Sequence, residues 1–240
     1  MKQKKLIIVS AVLLLSAVGM FADTAIFVGP AYTNYLVKTK VSGDGLTSPE
    51  VKKILGDAIG NVKDERNNTA AFAIDLRGSF FYLMAQMAFP GASHSDVVKA
   101  SLNKEFNWKG IMLDTQLGGG ITLFKESPLN LFVGAGAGLN TIYTNQEVDA
   151  GTLGKISYTR FDLMAGAGVN ILASLYLAEH LGIYVGVADT LYFIPIKAEK
   201  VFSGGLLPQN IELTQSNQKS KVKNNFANSL NIKAGLTIKF

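Results

Sequence analysis

The sequence has no cysteine, two histidines, and only 17% charged residues. Without cysteine there is neither a disulfide framework nor a thiolate metal site. An exported form of such a chain must be held by burial and hydrogen bonding alone. His94 and His180 fall in different connections and lack a second ligand at metal spacing, so no metal site is expected. Nothing in the sequence calls for a cofactor. The formal charge of +5 includes Lys2, Lys4 and Lys5, which lie in a segment expected to be removed. The remaining 20 basic against 18 acidic residues give no case for nucleic-acid binding. Also missing beyond the N-terminus is an unbroken apolar run of the roughly 20 residues that a transmembrane helix needs. The most apolar stretch, Phe161 to Leu177, is interrupted by Asp162, Gly166, Gly168, Asn170 and Ser174.

What is present is 48% hydrophobic residues and 24 glycines among 240 residues. That mixture is too apolar for a disordered chain and too glycine-rich for a helical bundle. Residues 1–22 read as a secretory signal peptide. Lys2, Lys4 and Lys5 form the positive region, Leu6 to Val18 the apolar core, and Ala22 a small residue before polar Asp23. Residues 23–240 are then the mature domain.

Alternation is the dominant pattern of that domain. In Phe161–Leu177 the odd positions are apolar throughout and the even ones mostly small or polar, a strand period rather than a helical one. In Trp108–Leu123, Ile111, Leu113, Leu117, Ile121 and Leu123 oppose Asp114, Gln116, Gly118, Gly120 and Thr122. Leu129–Tyr143 and Phe226–Phe240 alternate in the same way. In Thr69–Tyr82, Phe72, Ile74, Leu76, Phe80 and Tyr82 are expected on one face, with Asp75, Arg77 and Ser79 on the other. The runs are long for globular strands of about 5 or 6 residues. Their polar faces carry charges and glycines, which suits apolar to lipid and polar to lumen.

The expected fold is an all-β, up-and-down antiparallel transmembrane barrel of about eight strands with long extracellular loops. Closure follows because an open sheet edge in hydrocarbon leaves backbone groups unpaired. Seven strands are clear: Ala25–Lys38, one within Thr69–Pro90, Trp108–Leu123, Leu129–Tyr143, Ser157–Leu177, Ile183–Ile196 and Phe226–Phe240. Even parity requires an eighth, placed by a tight hairpin near Arg77-Gly78-Ser79. Lys125–Pro128 and Ala178–Gly182 are short turns, whereas 39–68, 144–156 and 197–225 are long polar connections. Thr47-Ser48-Pro49-Glu50 begins a helical pattern over about 47–62, either a lid or a surface helix on the rim. A second short helix is expected at Ser95–Lys104.

The end of the chain, Ile232, Ala234, Leu236, Ile238 and Phe240 at alternate positions, resembles the C-terminal sorting signal of outer-membrane barrels. The resemblance implies recognition by the barrel assembly machinery, with Ile238 and Phe240 as the assembly signal. Gly29 to Tyr35, Asn107 to Gly110, Leu131 to Gly138 and Ala188-Asp189-Thr190 resemble the small OmpW-like outer-membrane proteins of spirochaetes, over nearly the whole mature region. That resemblance implies an outer-membrane location and passage of small hydrophobic molecules through a narrow interior. It carries over no functional residues.

Candidate lumen-facing residues are Asp75, Arg77, Asp114, Gln116, Asp162 and Lys233, with Asp189 as a further candidate. In a narrow barrel buried charges of opposite sign should pair. The cluster is either a gate for solutes or the packed polar core of a closed barrel. The inward glycines, Gly134, Gly136, Gly138, Gly166 and Gly168, either make room for bulky neighbours or leave a channel. They continue a strand, so they are no nucleotide-binding loop. The leading functional expectation is a non-enzymatic channel or transporter for small molecules, with small hydrophobic solutes as one class, set in outer-membrane lipid. The alternative is a non-transporting structural or adhesive barrel acting through its loops. A lipid-modifying enzyme using His94 beside Ser93, Ser95 and Asp96 is a third reading.

Overall fold

The structure, a computed structural model, describes residues 24–42, 64–89, 107–149, 155–204, 211–214 and 221–240. The signal peptide, both expected helices, and His94 lie outside these residues. The described strands are β1 (Ala25–Ser42), β2 (Asp64–Arg77), β3 (Phe81–Ala88), β4 (Asn107–Leu123), β5 (Leu129–Asp149), β6 (Lys155–Tyr176), β7 (Leu181–Gly204), β8 (Ile211–Thr214) and β9 (Lys221–Lys239). β1 to β7 and β9 form a closed ring of eight in chain order, and β9 closes it by pairing with both β7 and β1. Every pairing within the ring is antiparallel. The four residues of β8 lie off the ring, paired to Glu199–Phe202 of β7.

Closure is a consequence of chain chemistry. Apolar residues alternate along each strand, and the set that faces out is exposed: Leu117, Ile121, Val133, Ile183, Val185, Leu236 and their like. The inward set is buried and about half polar, charged residues among it, unlike the core of a soluble sandwich. A sheet with an oily outside is stable only where its backbone groups are all paired, and the ring pairs them.

Three short turns gather at one end, called here the lower end: 78–80, 124–128 and 177–180. The first supplies the expected eighth strand, and the Gly78 amide donates to the Phe81 carbonyl at 2.8 Å. In the second, Phe124 adopts φ 58°, and the Asn130 side-chain amide donates to the carbonyls of Phe124 and Ser127 at 3.0 and 2.8 Å. The third is shorter than expected, because Leu181 and Gly182 already pair as β7.

Two expectations need correcting. Tyr82 lies inside, on the same face as Arg77, because the two are directly paired across the β2–β3 hairpin. Phe81 faces outward in its place. The long connections are also partly strand. β5 runs to Asp149 and β6 starts at Lys155, while β7 runs to Gly204. Backbone pairing needs no apolar face, so the ladders continue past the point where alternation fades.

Following paired residues once around the ring gives its geometry. Ala25 leads through Arg77, Tyr82, Gly118, Gly136, Gly168, Thr190 and Ser229 back to β1 at Tyr35, ten residues further up the same strand. With strands about 4.8 Å apart, that stagger inclines them by about 40°.

Candidate functional site

An eight-strand ring encloses space just wide enough for side chains. The inward residues fill it in three layers. The lower layer is aromatic, with Phe27, Tyr82, Met84, Phe132, Leu172 and Tyr184 buried together. Phe27 and Tyr184 meet edge-on at 5.2 Å between ring centres, and Tyr82 and Phe132 at 5.5 Å. The Arg77 guanidinium lies over Phe27 at 5.3 Å and Phe132 at 5.9 Å, so its charge rests on ring faces.

The middle layer is a polar network. Lys233 Nζ meets Asp75 Oδ1 at 2.6 Å, and the Asn170 amide donates to the same oxygen at 2.9 Å. The Gln86 amide donates to Thr33 and, at 2.7 Å, to Asn231. Asn231 in turn donates to Asp114 at 2.9 Å, and the Tyr192 hydroxyl donates to the same carboxylate. Tyr82 donates to Gln116 at 2.8 Å, and Gln116 donates to Thr190. Two of these bonds cross the full barrel. β4 and β9 stand opposite in the ring, as do β2 and β6, so Asn231–Asp114 and Asn170–Asp75 tie facing walls together.

The upper layer mixes Tyr35, Val37, Met112, Ile142 and Met164 with the Arg160–Asp162 ion pair. The Tyr35 and Thr144 hydroxyls and both ends of the Asn140 amide are buried there without a hydrogen-bond partner among the described residues.

All six candidate residues therefore point inward, but they do not form one cluster. Arg77 belongs to the lower layer, Asp75, Asp114, Gln116 and Lys233 to the middle, and Asp162 to the upper. The further candidate, Asp189, is on the outside: it shares parity with Val185, Val187 and Leu191 along β7 and is exposed. Sequence reasoning passed over Gln86, Arg160 and Tyr192. Arg160 shares its parity with Asp162, which was the available signal; Gln86 follows the parity of Tyr82, which was expected outside, and Tyr192 is opposite in parity to Asp189, which was expected inside.

The inward glycines are explained by their neighbours. A Cβ on Gly134 would lie 2.8 Å from both the Phe132 and Tyr82 rings, and one on Gly168 would lie 2.6 Å from the Gln116 amide nitrogen. Gly134, Gly138 and Gly168 make room for side chains that fill the space, whereas a Cβ on Gly136 or Gly166 would meet the backbone of the neighbouring strand at Leu117 and Leu191. Asp75, Gln86, Asp114, Thr190, Ser229 and Asn231 are all 0% exposed, so the middle of the lumen is tightly filled. The described residues contain no cluster of three or more metal-ligating side chains.

Among solved structures, the chain is similar to a major outer membrane protein from Thermus thermophilus. That match has 11% identity and TM-score 0.49, covering 89% of this chain and 99% of the other. It is also similar to the outer membrane protein OprG from Pseudomonas aeruginosa, at 10% identity and TM-score 0.48, covering 92% of this chain and 96% of that one. The outer membrane protein AlkL in lipid bilayers matches at 12% identity and TM-score 0.43, over 92% of this chain and 90% of that one. At these identities and scores the matches say nothing about activity. No curated protein is similar enough to count as a relative. Residues 21–240 match the family described as a domain of unknown function, DUF2715, and the chain belongs to that family.

Proposed function

We propose that the protein is an outer-membrane barrel closed to solutes, which serves as a platform carrying its upper strand ends and loops on the cell surface. One observation carries this reading: hydrogen bonds of 2.9 Å join opposite walls at two places, Asn231 to Asp114 and Asn170 to Asp75. A path for solutes would have to break both. Short turns suit the periplasmic side and long connections the extracellular one. A bilayer-spanning strand needs about 9–11 residues, whereas β5, β6 and β7 have 21, 22 and 24. Their excess rises at the extracellular end as a paired sheet. Its rim is ordered by Lys197, which meets Glu199 at 3.0 Å and lies over the Phe161 ring at 5.2 Å. On this reading the exposed Ile238 and Phe240 at the lower end are the signal read by the barrel assembly machinery, and outer-membrane lipid coats the apolar wall.

The expected result in planar bilayers is no conductance step, and in liposomes no uptake of a small apolar solute above protein-free vesicles. Steady conductance or protein-dependent uptake overturns the reading. Solute passage, the second reading, has one observation in its favour. The unpartnered polar atoms of Tyr35, Asn140 and Thr144 lie in the upper layer, where a solute from outside would first arrive. The same two assays decide between them.

A further inference from the structure

A cavity of 280 Å³ lies at the lower mouth of the lumen, where the strand ends meet the short turns. Arg77, Thr122, Asn130 and Lys239 line it from β2, β4, β5 and β9, each at the inward parity of its strand. Ser79 and Lys125 line it from the turns at 78–80 and 124–128. Because its strand residues face inward, the cavity opens along the barrel axis rather than sideways toward lipid. Backbone holds its walls in place. The Gly78 amide donates to the Phe81 carbonyl at 2.8 Å, and the Gly120 amide to the Phe80 carbonyl at 2.9 Å, which fastens the first turn to β4. The Tyr176 amide donates to the Pro128 carbonyl at 2.8 Å, and the Asn130 side chain braces the second turn through Phe124 and Ser127. Walls ordered in advance spare a small ligand the cost of arranging them.

Charge sets this cavity apart. Three cationic side chains line it, Arg77, Lys125 and Lys239, against the single carboxylate of Glu126. Beyond Lys2, Lys4 and Lys5 the chain carries 20 basic and 18 acidic residues, so the imbalance is local. Arg77 is 4% exposed, and its guanidinium rests on the ring faces of Phe27 and Phe132, which support the charge without neutralising it. Asp75, two positions along the same face of β2, holds Lys233 and Asn170. The aromatic layer beside Arg77 keeps the local dielectric low, which strengthens the pull on an incoming anion.

We infer that this cavity binds a phosphate group. A planar carboxylate is satisfied by one guanidinium fork, whereas a tetrahedral phosphate presents oxygens in several directions. The lining offers donors in several directions: the Arg77 fork, the Lys125 and Lys239 ammonium groups, and the hydroxyls of Ser79 and Thr122. Its volume is just under the roughly 300–1,000 Å³ of pockets for drug-sized ligands, which suits a small molecule or a headgroup. Two sources carry that chemistry, a soluble phosphomonoester and a phospholipid headgroup. The inward parity of the strand residues favours the soluble one. This site goes beyond the closed-lumen reading and does not rest on it.

The test titrates the full chain, folded in a maltoside detergent that contains no phosphate, with inorganic phosphate and with glycerol phosphate by calorimetry. Saturable binding is expected, and Arg77→Gln should weaken it about tenfold or more. Should that buried position fold poorly, Lys125→Gln combined with Lys239→Gln at the mouth is expected to weaken it about as much. Lys38→Gln, at the far end of β1, should bind like the parent. A second arm adds phosphatidylglycerol to the micelles and weighs the intact complex by mass spectrometry. Phospholipid retained by the parent and lost from the double-lysine variant, without binding of glycerol phosphate, assigns the site to a headgroup; binding of glycerol phosphate assigns it to a soluble ester. No saturable binding in either arm overturns the inference. So does equal binding by the double-lysine variant, or acetate bound as tightly as phosphate. Conductance reads none of these outcomes, so the closed-lumen reading stands or falls separately.

Discussion

At the scale of the residue, the interior is governed by the cost of burying charge. Lys233 and Asp75 are fully enclosed and share a 2.6 Å contact, with Asn170 on the same carboxyl oxygen. Removing one partner of a buried pair leaves an uncompensated charge and costs about 3–5 kcal/mol, whereas replacing both is close to neutral. Lys233→Met should therefore destabilise the barrel by about 3–5 kcal/mol in denaturant unfolding from vesicles. Adding Asp75→Asn to Lys233→Met should return most of that loss. An equal loss in single and double variants would show that packing, not charge, holds the site. Alternation was enough to place Asp75 and Lys233 inside, since each has apolar neighbours on both sides. Their pairing was not legible, because 158 residues separate them and only closure of the ring brings β2 within reach of β9. Asp189 was misjudged for a related reason. Polarity suggested the lumen, but side-chain direction follows strand parity, and its odd-numbered neighbours all face lipid.

At the scale of the element, β5 shows how one strand satisfies two solvents. Of its even positions, Gly134 lies under the Phe132 and Tyr82 rings, Gly136 against the β4 backbone and Gly138 under Thr190, while its odd positions, Val133, Ala135, Ala137 and Leu139, face outward. Overpacking a filled interior costs about 1–3 kcal/mol, while a change of size on a fluid-facing wall is usually within about 0.5 kcal/mol. Gly134→Val, driven against Phe132 and Tyr82, should thus lose about 1–3 kcal/mol, and Ala135→Val next to it should be nearly silent. Equal effects at both positions would mean that the aromatic layer yields easily. The apolar half of this strand was legible as a period of two, which fixed faces and lower ends. Its upper end was not, because past Tyr143 the ladder to β6 continues through Asn145, Gln146 and Glu147 to Asp149 with no apolar pattern to announce it. The glycines pointed to a narrow interior but left open whether it was filled, since the aromatic rings that fill it come from β3 and from β5 itself.

At the scale of the whole molecule, stability and assembly depend on the seam between the first strand and the last. Ala25 pairs with Lys239, the Phe240 amide donates to the Thr24 carbonyl at 2.8 Å, and β9 supplies Ser229, Asn231 and Lys233 to the middle layer. Nothing is buried in its final form until the two ends of the described chain meet, which makes closure late and cooperative. The upper sheet of β5 and β6 is different. Asn145 and Thr159 are paired, and the residues beyond them pair with one another and, at the rim alone, with Asn107 and Trp108 of β4 and Phe202–Gly204 of β7. Two deletions separate these roles. Replacing residues 146–158 with a short Asn-Gly turn should leave folding in vesicles intact, because every strand of the ring keeps its bilayer-spanning length and only the rim pairings of residues 107–108 and 202–204 are lost. Removing residues 221–240 exposes unpaired edges on both β1 and β7 to hydrocarbon, each orphaned group costing several kcal/mol. That variant should fail to insert and should remain protease-sensitive. Were the β9 deletion to insert stably while the hairpin deletion did not, the hairpin rather than the seam would be organising the barrel.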